Sequence, residues 1–349
     1  MNAVTSARQS TSSVLHPFAP QTLLAADVGG THARIGLVAV QPDRTQPPAT
    51  LAYRAYRCAD WTDLADILED FLACHAGSRH VATRCALAVA GYVRNDELVA
   101  ENLRWPVRIS ALRERLRFEQ LEIVNDFEAL ACATQFVRHA DTTDVIAAAG
   151  CAGPTVVVGP GTGLGCAALV PVDSRATVVP SEAGHIALAP GSDREIEVLR
   201  RLGRDRAYVH TGHVLSGPGL LNLYRALAEI GGVVAVHAQP KQVSAAALHG
   251  GDPLAREALA MFCAMLGSFA GDLAIVFKAA AGVYLAGGIL PSISDFLLAS
   301  EFRARFLNKG LMRPFLANVP VRLIEHGQLG VLGAAALSED SVRRHALPD

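Results

Sequence analysis

Several signatures of common enzyme classes are missing from this sequence of 349 residues. It has no G-x-x-x-x-G-K-[ST] motif, which a P-loop nucleotide site would require. It also has no G-x-G-x-x-G that opens a helix after a strand, which a dinucleotide-binding fold would require. The protein-kinase motifs H-R-D and D-F-G are missing, as is the G-x-S-x-G of many serine hydrolases. These absences exclude the usual phosphate-binding motifs and leave other glycine-rich turns to be considered.

Paired cysteines are missing as well. The chain has seven cysteines, an odd number, and none of them forms a C-x-x-C pair. Neither a disulfide framework nor a structural zinc site is therefore supported. Thiols that stand in apolar stretches are typical of a reducing compartment, so we expect a cytoplasmic protein.

The sequence also lacks a strong charge of either sign and an uninterrupted apolar segment of membrane-spanning length. Its formal net charge is −2 and its charges are mixed along the chain, which argues against a nucleic-acid partner. The longest apolar run, Leu254–Val276, is interrupted by Arg256, Glu257 and Asp272 and predicts a buried helix, with no membrane partner. Residues 1–20 lack the apolar core of a signal peptide and are predicted to be a flexible N-terminal extension.

A large folded core is nevertheless expected, because 51% of the residues are hydrophobic. The length suits two domains, and strands that alternate with helices predict an α/β fold with mostly parallel sheets. We assign a small α/β domain to residues 21–140 and a large one to residues 141–349, whose last helices can pack back on the first. Ser110 is predicted to cap one helix, and another is predicted over Asp126–Val137.

Two segments about 130 residues apart have a similar pattern. "LLAADVGGTHARIGLV" and "VVVGPGTGLGCAALV" both consist of an apolar strand, a turn rich in Gly and Thr, and a second apolar strand. One such unit in each domain is the natural interpretation, and a coincidence between two hairpins is the alternative. A third strand is followed by another glycine pair, Gly287-Gly288. Backbone N–H groups in such turns can point at a phosphate.

Asp27 and Asp126 stand where chemistry is expected. Asp27 ends a strand beside the first glycine turn and could hold the hydrated Mg²⁺ that accompanies ATP, or it could cap the turn. Asn125-Asp126 lies where a strand meets a helix, at an end of the sheet where ligands of α/β proteins bind. Asp126 could accept a proton from a hydroxyl group, or it could be an ordinary helix N-cap.

The segment Ser181–His185 combines an acid and an imidazole on a loop of small residues. Glu182 accepts hydrogen bonds and His185 can donate or accept them, which suits a polyhydroxylated ligand. A surface glutamate and a core histidine are the alternative. A zinc site is a poorer interpretation, because no third ligand stands at a fixed spacing.

Taken together, these motifs resemble the bacterial glucokinase family of the non-ROK type. The resemblance rests on "DVGGTHARIGLV", "VNDFEALA", "GPGTGLG", "SEAGH", "VLSGPGLLNLYRA" and "LAGGILP", which occur in the family's order over residues 22–337. It implies an actin-like ATPase (ribonuclease H-like) fold, in which two α/β domains flank a cleft. It also implies transfer of the ATP γ-phosphoryl group, with Mg²⁺, to the 6-hydroxyl of glucose, and a homodimer.

The resemblance also implies roles for individual residues. Asp126 would be the catalytic base, and Asn125, Glu182 and His185 would bind the sugar. Two phosphate loops and an adenosine contact would come from Asp27, Val28, Gly29, Gly30, Thr31, Gly159, Gly161, Thr162, Gly163, Gly287 and Gly288. No metal is assigned a direct protein ligand, and Asp27 would contact Mg²⁺ through bound water.

One departure from the family pattern bears on the substrate. The family has a sugar-binding Glu two positions before the Val of the "VLSGPG" motif, where this chain has Gly212, followed by His213. His213 or Glu197 could compensate. The departure leaves open a kinase for another hexose or an aminosugar, and a weakly active sugar-binding regulatory relative. A non-kinase of the actin-like group, such as a chaperone ATPase or a polyphosphatase, is a further alternative.

Overall fold

The computed structural model describes residues 21–41, 47–76, 82–100, 103–173, 175–324 and 327–346. The predicted flexible extension, residues 1–20, lies outside these ranges. Fourteen strands are described, namely β1 (Gln21–Val28), β2 (His32–Val40), β3 (Ala49–Arg57), β4 (Arg84–Val89), β5 (Tyr92–Arg94), β6 (Glu97–Val99), β7 (Val107–Arg108), β8 (Gln120–Asn125), β9 (Thr142–Ile146), β10 (Thr155–Pro160), β11 (Leu164–Val172), β12 (Arg175–Ser181), β13 (Gly282–Leu285) and β14 (Val321–Ile324).

The α-helices of the described ranges are, in chain order, α1 (Leu64–Cys74), α2 (Ile109–Leu116), α3 (Asp126–Ala133), α4 (Asp193–Leu202), α5 (Gly217–Ile230), α6 (Pro240–Leu248), α7 (Pro253–Val276), α8 (Ser294–Ala299), α9 (Phe302–Leu307), α10 (Arg313–Leu316) and α11 (Leu329–Ala346).

Two large sheets repeat the same plan. The first has the strand order β3-β2-β1-β4-β8, and the second has the order β12-β11-β10-β13-β14-β9. In each, three antiparallel strands are followed by strands parallel to the first of the three: β1, β4 and β8, and β10, β13 and β14. The two segments that share a pattern in the sequence are the hairpins β1–β2 and β10–β11, so the internal repeat corresponds to equivalent hairpins in the two sheets.

Helix α3 lies between the two sheets. Phe127, Leu130 and Ala131 pack with Val157 and Ala167 of the second sheet. The opposite side of α3 packs against α11 and the first sheet in a cluster that includes Ala129, Cys132, Leu23, Val331 and Ala334. Contact between α3 and α11 is so close that a Cβ atom at Gly333 would lie 1.8 Å from the carbonyl oxygen of Ala129. The helix that follows Asn125 is therefore fixed from both sides.

The long apolar helix is a core element. Helix α7 is long and apolar enough to cross a membrane by length and composition, but 72% of its most apolar window is buried within the protein. One of the charges that interrupt its apolar run, Asp272, accepts a hydrogen bond from Lys309 Nζ at 2.6 Å. The burial agrees with the buried helix predicted for this segment, because the same apolar side chains that would face lipid here pack against other residues.

Two helix boundaries differ from the prediction. Ser110 is inside α2 instead of capping it, and its Oγ donates to the Asp96 carboxylate, while its backbone N–H donates to Asp96 at 3.0 Å. Helix α3 ends at Ala133 and continues as a 3-10 turn over Thr134–Phe136. The Thr134 hydroxyl donates to the Ala131 carbonyl at 2.7 Å, and side-chain bonds of this kind compete with the regular helical ladder.

Candidate functional site

The first glycine turn joins β1 to β2 at the carboxyl end of β1. Asp27 is half-buried and pairs with Arg34 of the neighbouring strand, at 3.2 Å between Oδ2 and Nη1. Gly29 donates its N–H to the His32 carbonyl at 3.0 Å, and the Cys58 thiol donates to the Gly29 carbonyl at 3.3 Å. The turn is therefore held by its own backbone and by Cys58, while Gly29 and Thr31 themselves are exposed.

Asp27 has a second close neighbour that the sequence motifs did not indicate. A Cβ atom at Gly330, in the first turn of α11, would lie 2.9 Å from the Asp27 carboxyl carbon. Any side chain at position 330 would press on this carboxylate. In the sequence, the only indication of this contact is a glycine near the start of a helix, and a glycine there does not predict a contact with Asp27 unless the fold is known.

Asn125 and Asp126 have separate roles at the junction of β8 and α3. Asn125 is the N-cap, because its Oδ1 accepts from the N–H groups of Phe127 at 2.9 Å and Glu128 at 3.2 Å. Asp126 is the first residue of the helix, and its Oδ1 also accepts from Phe127 N–H, at 2.9 Å. The interpretation of Asp126 as an ordinary N-cap is therefore wrong. Because the Asn125 amide oxygen is used by the helix, its amide nitrogen is the group that can donate to a ligand.

The environment of Asp126 raises its pKa to about 6. Burial is the main cause, and the negative charges of Asp27 and Glu182 add to it, while the hydrogen bond from Phe127 N–H opposes it. Strands β1, β4 and β8 are adjacent and in register, with Val28 opposite Val89 and Val89 opposite Asn125. The parallel strands thus end at one edge, and this edge brings Asp27 near Asp126.

The second and third glycine turns meet at one edge of the second sheet. The hairpin β10–β11 is closed by a hydrogen bond from Gly161 N–H to the Gly163 carbonyl at 2.8 Å. A Cβ atom at Gly159 would lie 2.4 Å from the Ala286 carbonyl oxygen, and one at Gly287 would lie 2.3 Å from that of Pro160. Gly287 also has a φ of 102°, which favours glycine. Only glycine permits this approach of the two backbones.

The turn between β10 and β11 also contacts the start of α5. Gly217 N–H donates to the Gly161 carbonyl at 2.8 Å, and Ser216 caps the helix by accepting from Gly219 N–H at 3.0 Å. Thr162, Gly163 and Gly288 are exposed at this edge. A helix N-terminus beside exposed backbone N–H groups favours an anion such as a phosphate group.

The loop that carries Glu182 packs closely against β11, and β11 in turn packs against the start of α3. Strand β12 ends at Ser181, opposite Cys166 of β11, and a 3-10 turn covers Ala183–His185. A Cβ atom at Gly184 would lie 2.2 Å from the Leu164 carbonyl oxygen. One at Gly165 would lie 2.0 Å from the ring of Phe127, the residue after Asp126. These approaches bring the second sheet to the start of α3. Glu182 is exposed, and its charge is close enough to Asp126 to raise the pKa of that residue.

The position at which the family pattern has a glutamate is closely packed. A Cβ atom at Gly212 would lie 3.2 Å from both the Gly184 carbonyl oxygen and the His210 ring. Glu197 is bound elsewhere, since it accepts from Arg194 at 2.9 Å. His213 stacks on His210 with 3.7 Å between ring centroids. His210 was not among the residues predicted for the site, and the only signal for it in the sequence is its spacing of three from His213.

The arrangement can bind a phosphorylated nucleotide and a hydroxylated ligand side by side. Within the described ranges, no group of three His, Cys, Asp or Glu residues is arranged to hold a metal ion. Asp27 fits the weaker role of contacting a hydrated Mg²⁺, because it is a half-buried carboxylate at the end of a strand beside an exposed turn. Asp126, with its raised pKa, is suited to accept a proton near neutral pH.

Comparisons with known proteins agree with the fold and the motifs. A family model described as Glucokinase matches residues 24–341. The "Glucokinase-like protein" of Xylella fastidiosa (strain 9a5c) is 46% identical over 316 residues, which cover 90% of this chain and 93% of that protein. The crystal structure of a glucokinase from an Antarctic psychrotroph is similar with a TM-score of 0.80 and 33% identity, covering 92% of this chain and 99% of that one.

A more distant structure shares the fold alone. It is a ROK family glucokinase from Streptomyces griseus, solved in complex with glucose and AMPPNP, with a TM-score of 0.55 and 21% identity over 90% of this chain and 98% of that one. These neighbours confirm the predicted actin-like ATPase fold, and the two large β-sheets of this chain repeat one strand arrangement.

Proposed function

The chain belongs to the glucokinase family, and we propose that it transfers the γ-phosphoryl group of ATP to the 6-hydroxyl of glucose. The observation that carries the proposal is the position of Asp126. It begins α3 between the two sheets, its pKa is raised to about 6, and Asp27 and Glu182 approach it from opposite sheets. A base in this position, between a phosphate site and a hydroxyl-binding loop, is what a sugar kinase requires.

ATP would bind along the glycine turns. The turn of Gly29, Gly30 and Thr31 in one sheet and the turn of Gly161, Thr162 and Gly163 in the other, both partly exposed, would surround the phosphates. Mg²⁺ would come with ATP and neutralise phosphate charge, with Asp27 in contact with its water shell. The N-terminus of α5 would add a favourable dipole, and Gly287-Gly288 would lie against the adenosine. A distant fold neighbour solved with AMPPNP supports this assignment.

The sugar would bind between α3 and the loop of the second sheet. The Asn125 amide nitrogen would donate to a sugar hydroxyl, and Glu182 and His185 would accept from or donate to others. Asp126 would take the proton of the attacking hydroxyl late in a loose transition state, so that most of the catalysis comes from positioning and charge stabilisation. Closure of the two sheets on the ligands would exclude water, which otherwise would compete with the sugar as acceptor.

Further properties follow from the same proposal. A sugar kinase of this family is expected to act in the cytoplasm as a homodimer, with no nucleic-acid or membrane partner. Static light scattering at several protein concentrations tests the homodimer, since a mass of one chain at all concentrations would contradict it.

ADP release from ATP tests the proposed reaction directly. We expect glucose to stimulate ADP release by the full chain, and glucose 6-phosphate to form in equal amount. Asp126→Asn, which keeps the size and the hydrogen-bond acceptor, serves as the control and should reduce the stimulated rate roughly 10²-fold or more. A regulatory relative or a non-kinase ATPase of this fold would show no sugar-dependent turnover with any sugar, and that result would overturn the proposal.

A further inference from the structure

Three imidazole rings gather beside the proposed sugar site. The rings of His185 and His210 lie 4.7 Å apart between centroids, and those of His210 and His213 lie 3.7 Å apart. We call these three residues the histidine cluster. His185 ends the 3-10 turn that begins directly after Glu182, and Glu182 lies close enough to Asp126 to raise its pKa. The cluster therefore adjoins the side of the site that would hold the sugar.

The cluster is held in place by specific contacts. His210 Nδ1 donates to the Gly184 carbonyl at 3.0 Å, and the Tyr208 hydroxyl donates to the His185 carbonyl at 2.8 Å. The backbones pair as well, through a bridge between Ala187 and His210. These contacts tie the loop of Glu182 to the segment that contains Gly212, so the rings form a built wall of the site.

The hydrogen bonds also fix which nitrogens can meet a ligand. His213 Nδ1 accepts from His210 N–H at 3.3 Å, so in the neutral ring the proton is on Nε2, which is a donor. His210 donates through Nδ1, so its Nε2 is an acceptor in the neutral ring and becomes a donor when the ring is protonated. In its neutral state the cluster therefore offers His213 Nε2 as a donor, which suits a ligand that has only acceptors.

The charges around the cluster favour a negative ligand. Burial lowers the pKa of His213, and the neighbouring His210, Arg206 and His185 lower it further. The acid that the family pattern would supply at this point is replaced by Gly212, whose Cβ position abuts the His210 ring. Glu182 and Asp126 are the acids of the proposed sugar site, and Glu182 directly precedes the 3-10 turn that ends at His185. His213 is therefore neutral near pH 7 and meets a ligand through its Nε2 donor, and a bound anion would gain the positive charge of Arg206 without facing an acid at position 212.

Other ligands fit the cluster less well. Its rings are tilted against one another at interplanar angles of 37° and 32°, and within the described ranges no group of three potential ligands is arranged to hold a metal ion. An ammonium group, as on an aminosugar, would meet imidazoles and Arg206 instead of a carboxylate. A neutral hydroxyl would gain only ordinary hydrogen bonds, which are about half as strong as those to a charged acceptor.

We propose that the histidine cluster binds an anionic group of the sugar substrate, so that the preferred acceptor is a hexose derivative with a carboxylate or phosphate at the end opposite the hydroxyl that is phosphorylated. The inference rests on the proposed kinase reaction and narrows its substrate. The reaction itself is unchanged: the hydroxyl oxygen bonds to the γ-phosphorus, the bond to the β-phosphate oxygen breaks, ADP leaves, and the hydroxyl proton goes to Asp126.

The test compares glucose, glucosamine, gluconate and glucose 1-phosphate as acceptors for the full chain with ATP. We expect kcat/KM for at least one of the two anionic acceptors to exceed that for glucose by about tenfold or more, and glucosamine to be the poorest. Gluconate carries a carboxylate and glucose 1-phosphate a phosphate, so the comparison also identifies which anion the cluster takes.

Variants separate the cluster from the rest of the site. His213→Gln should lower kcat/KM for the anionic acceptor about tenfold or more, and by a clearly larger factor than it lowers kcat/KM for glucose. His249→Gln, at an exposed position after α6, is the matched control and should change neither. Equal losses with both acceptors would mean that His213 is merely structural, and would overturn the inference.

The reverse change restores an acid. A Cβ at position 212 needs His210 to yield slightly, so Gly212→Glu is best combined with His210→Ala, with Gly212→Ala plus His210→Ala as its control. We expect the glutamate to improve glucose relative to the anionic acceptor by about tenfold or more. If the native chain prefers glucose and the glutamate changes nothing, the inference fails while the kinase proposal stands. If no acceptor is phosphorylated, both fail.

Discussion

The junction of β8 and α3 and the wall formed by the loop of Glu182 and the histidine cluster are built from different kinds of contact. At the junction, the hydrogen bonds of Asn125 and Asp126 reach residues one to three positions away in the sequence. In the wall, Tyr208 and His210 bond to carbonyl groups 23 and 26 positions away. The junction is therefore held by local contacts, while the wall depends on loops that meet only in the folded chain.

This difference has a functional meaning. Under the proposed function, the junction would hold the base against a helix and a sheet edge through local contacts that involve no part of the sugar-binding loop. The wall would instead decide which substituents the site accepts, and here imidazoles lie where the family pattern has an acid. Substitutions in the two regions should therefore differ in their effects on kcat, on stability and on the dependence on pH.

The largest effect is expected at the junction. Asp126→Asn should lower kcat by roughly 10²-fold or more, because the amide cannot accept the hydroxyl proton. Binding of sugar and nucleotide should persist, since the amide retains the size and the hydrogen-bond acceptor of the carboxylate. Steady-state kinetics with calorimetric titration of the sugar would measure both. A variant with near-normal kcat would remove Asp126 from the role of base.

The second effect is on the contact between β11 of the second sheet and the start of α3. Gly165→Ala would place a methyl group 2.0 Å from the Phe127 ring, so the second sheet could not approach the start of α3 without a shift. We expect a loss of about 1–3 kcal/mol in the free energy of unfolding. Gly163→Ala is the matched control, because its Cβ position has no neighbour within 4 Å. Chemical denaturation of the two variants would compare them, and equal stabilities would contradict the close approach.

The parts of the site that depend on local contacts can be predicted from the sequence, and those that depend on long-range contacts cannot. The glycine turns, Asn125, Asp126 and Glu182 are recognisable, because strands, turns and helix starts have short-range sequence patterns. Even so, the pattern left open whether Asp126 is the N-cap, and the hydrogen bonds show that Asn125 holds that position. His210, Gly330 and the contact of Gly165 with Phe127 could not be predicted, since each depends on the packing of residues distant in the sequence.

The third effect is a dependence on pH that Asp126 should impose on both activity and stability. Its pKa is about 6 in the folded chain and near 3.8 in its unperturbed state, so the folded chain binds the proton more tightly between these values. Stability should therefore fall as pH rises from about 4 to 6, and kcat/KM should rise over the upper part of that range, with an apparent pKa near 6.

Asp126→Asn provides the control for this dependence. The variant should be more stable than the parent at pH 7 by about 1–2 kcal/mol, less than the full shift would give because the residue is only half-buried. The gain should shrink as the pH falls and vanish at about pH 3, where the parent carboxyl is mostly protonated in both states. Thermal melts at the two pH values measure it, and a gain independent of pH would exclude Asp126 as its source.

The smallest effect separates capping from charge at the junction. Asn125→Ala removes the acceptor for the N–H groups of Phe127 and Glu128 and should reduce stability by about 1 kcal/mol. Asn125→Asp keeps the cap but adds a negative charge beside Asp126, so it should retain most of the stability and raise the apparent pKa of kcat/KM above 6. If the two variants lose equal stability, the cap is not what orders the start of α3. If Asn125→Asp leaves the pH profile unchanged, the titrating group is not Asp126. Either result would place the control of the base outside the local contacts of the junction, on the loops of the second sheet.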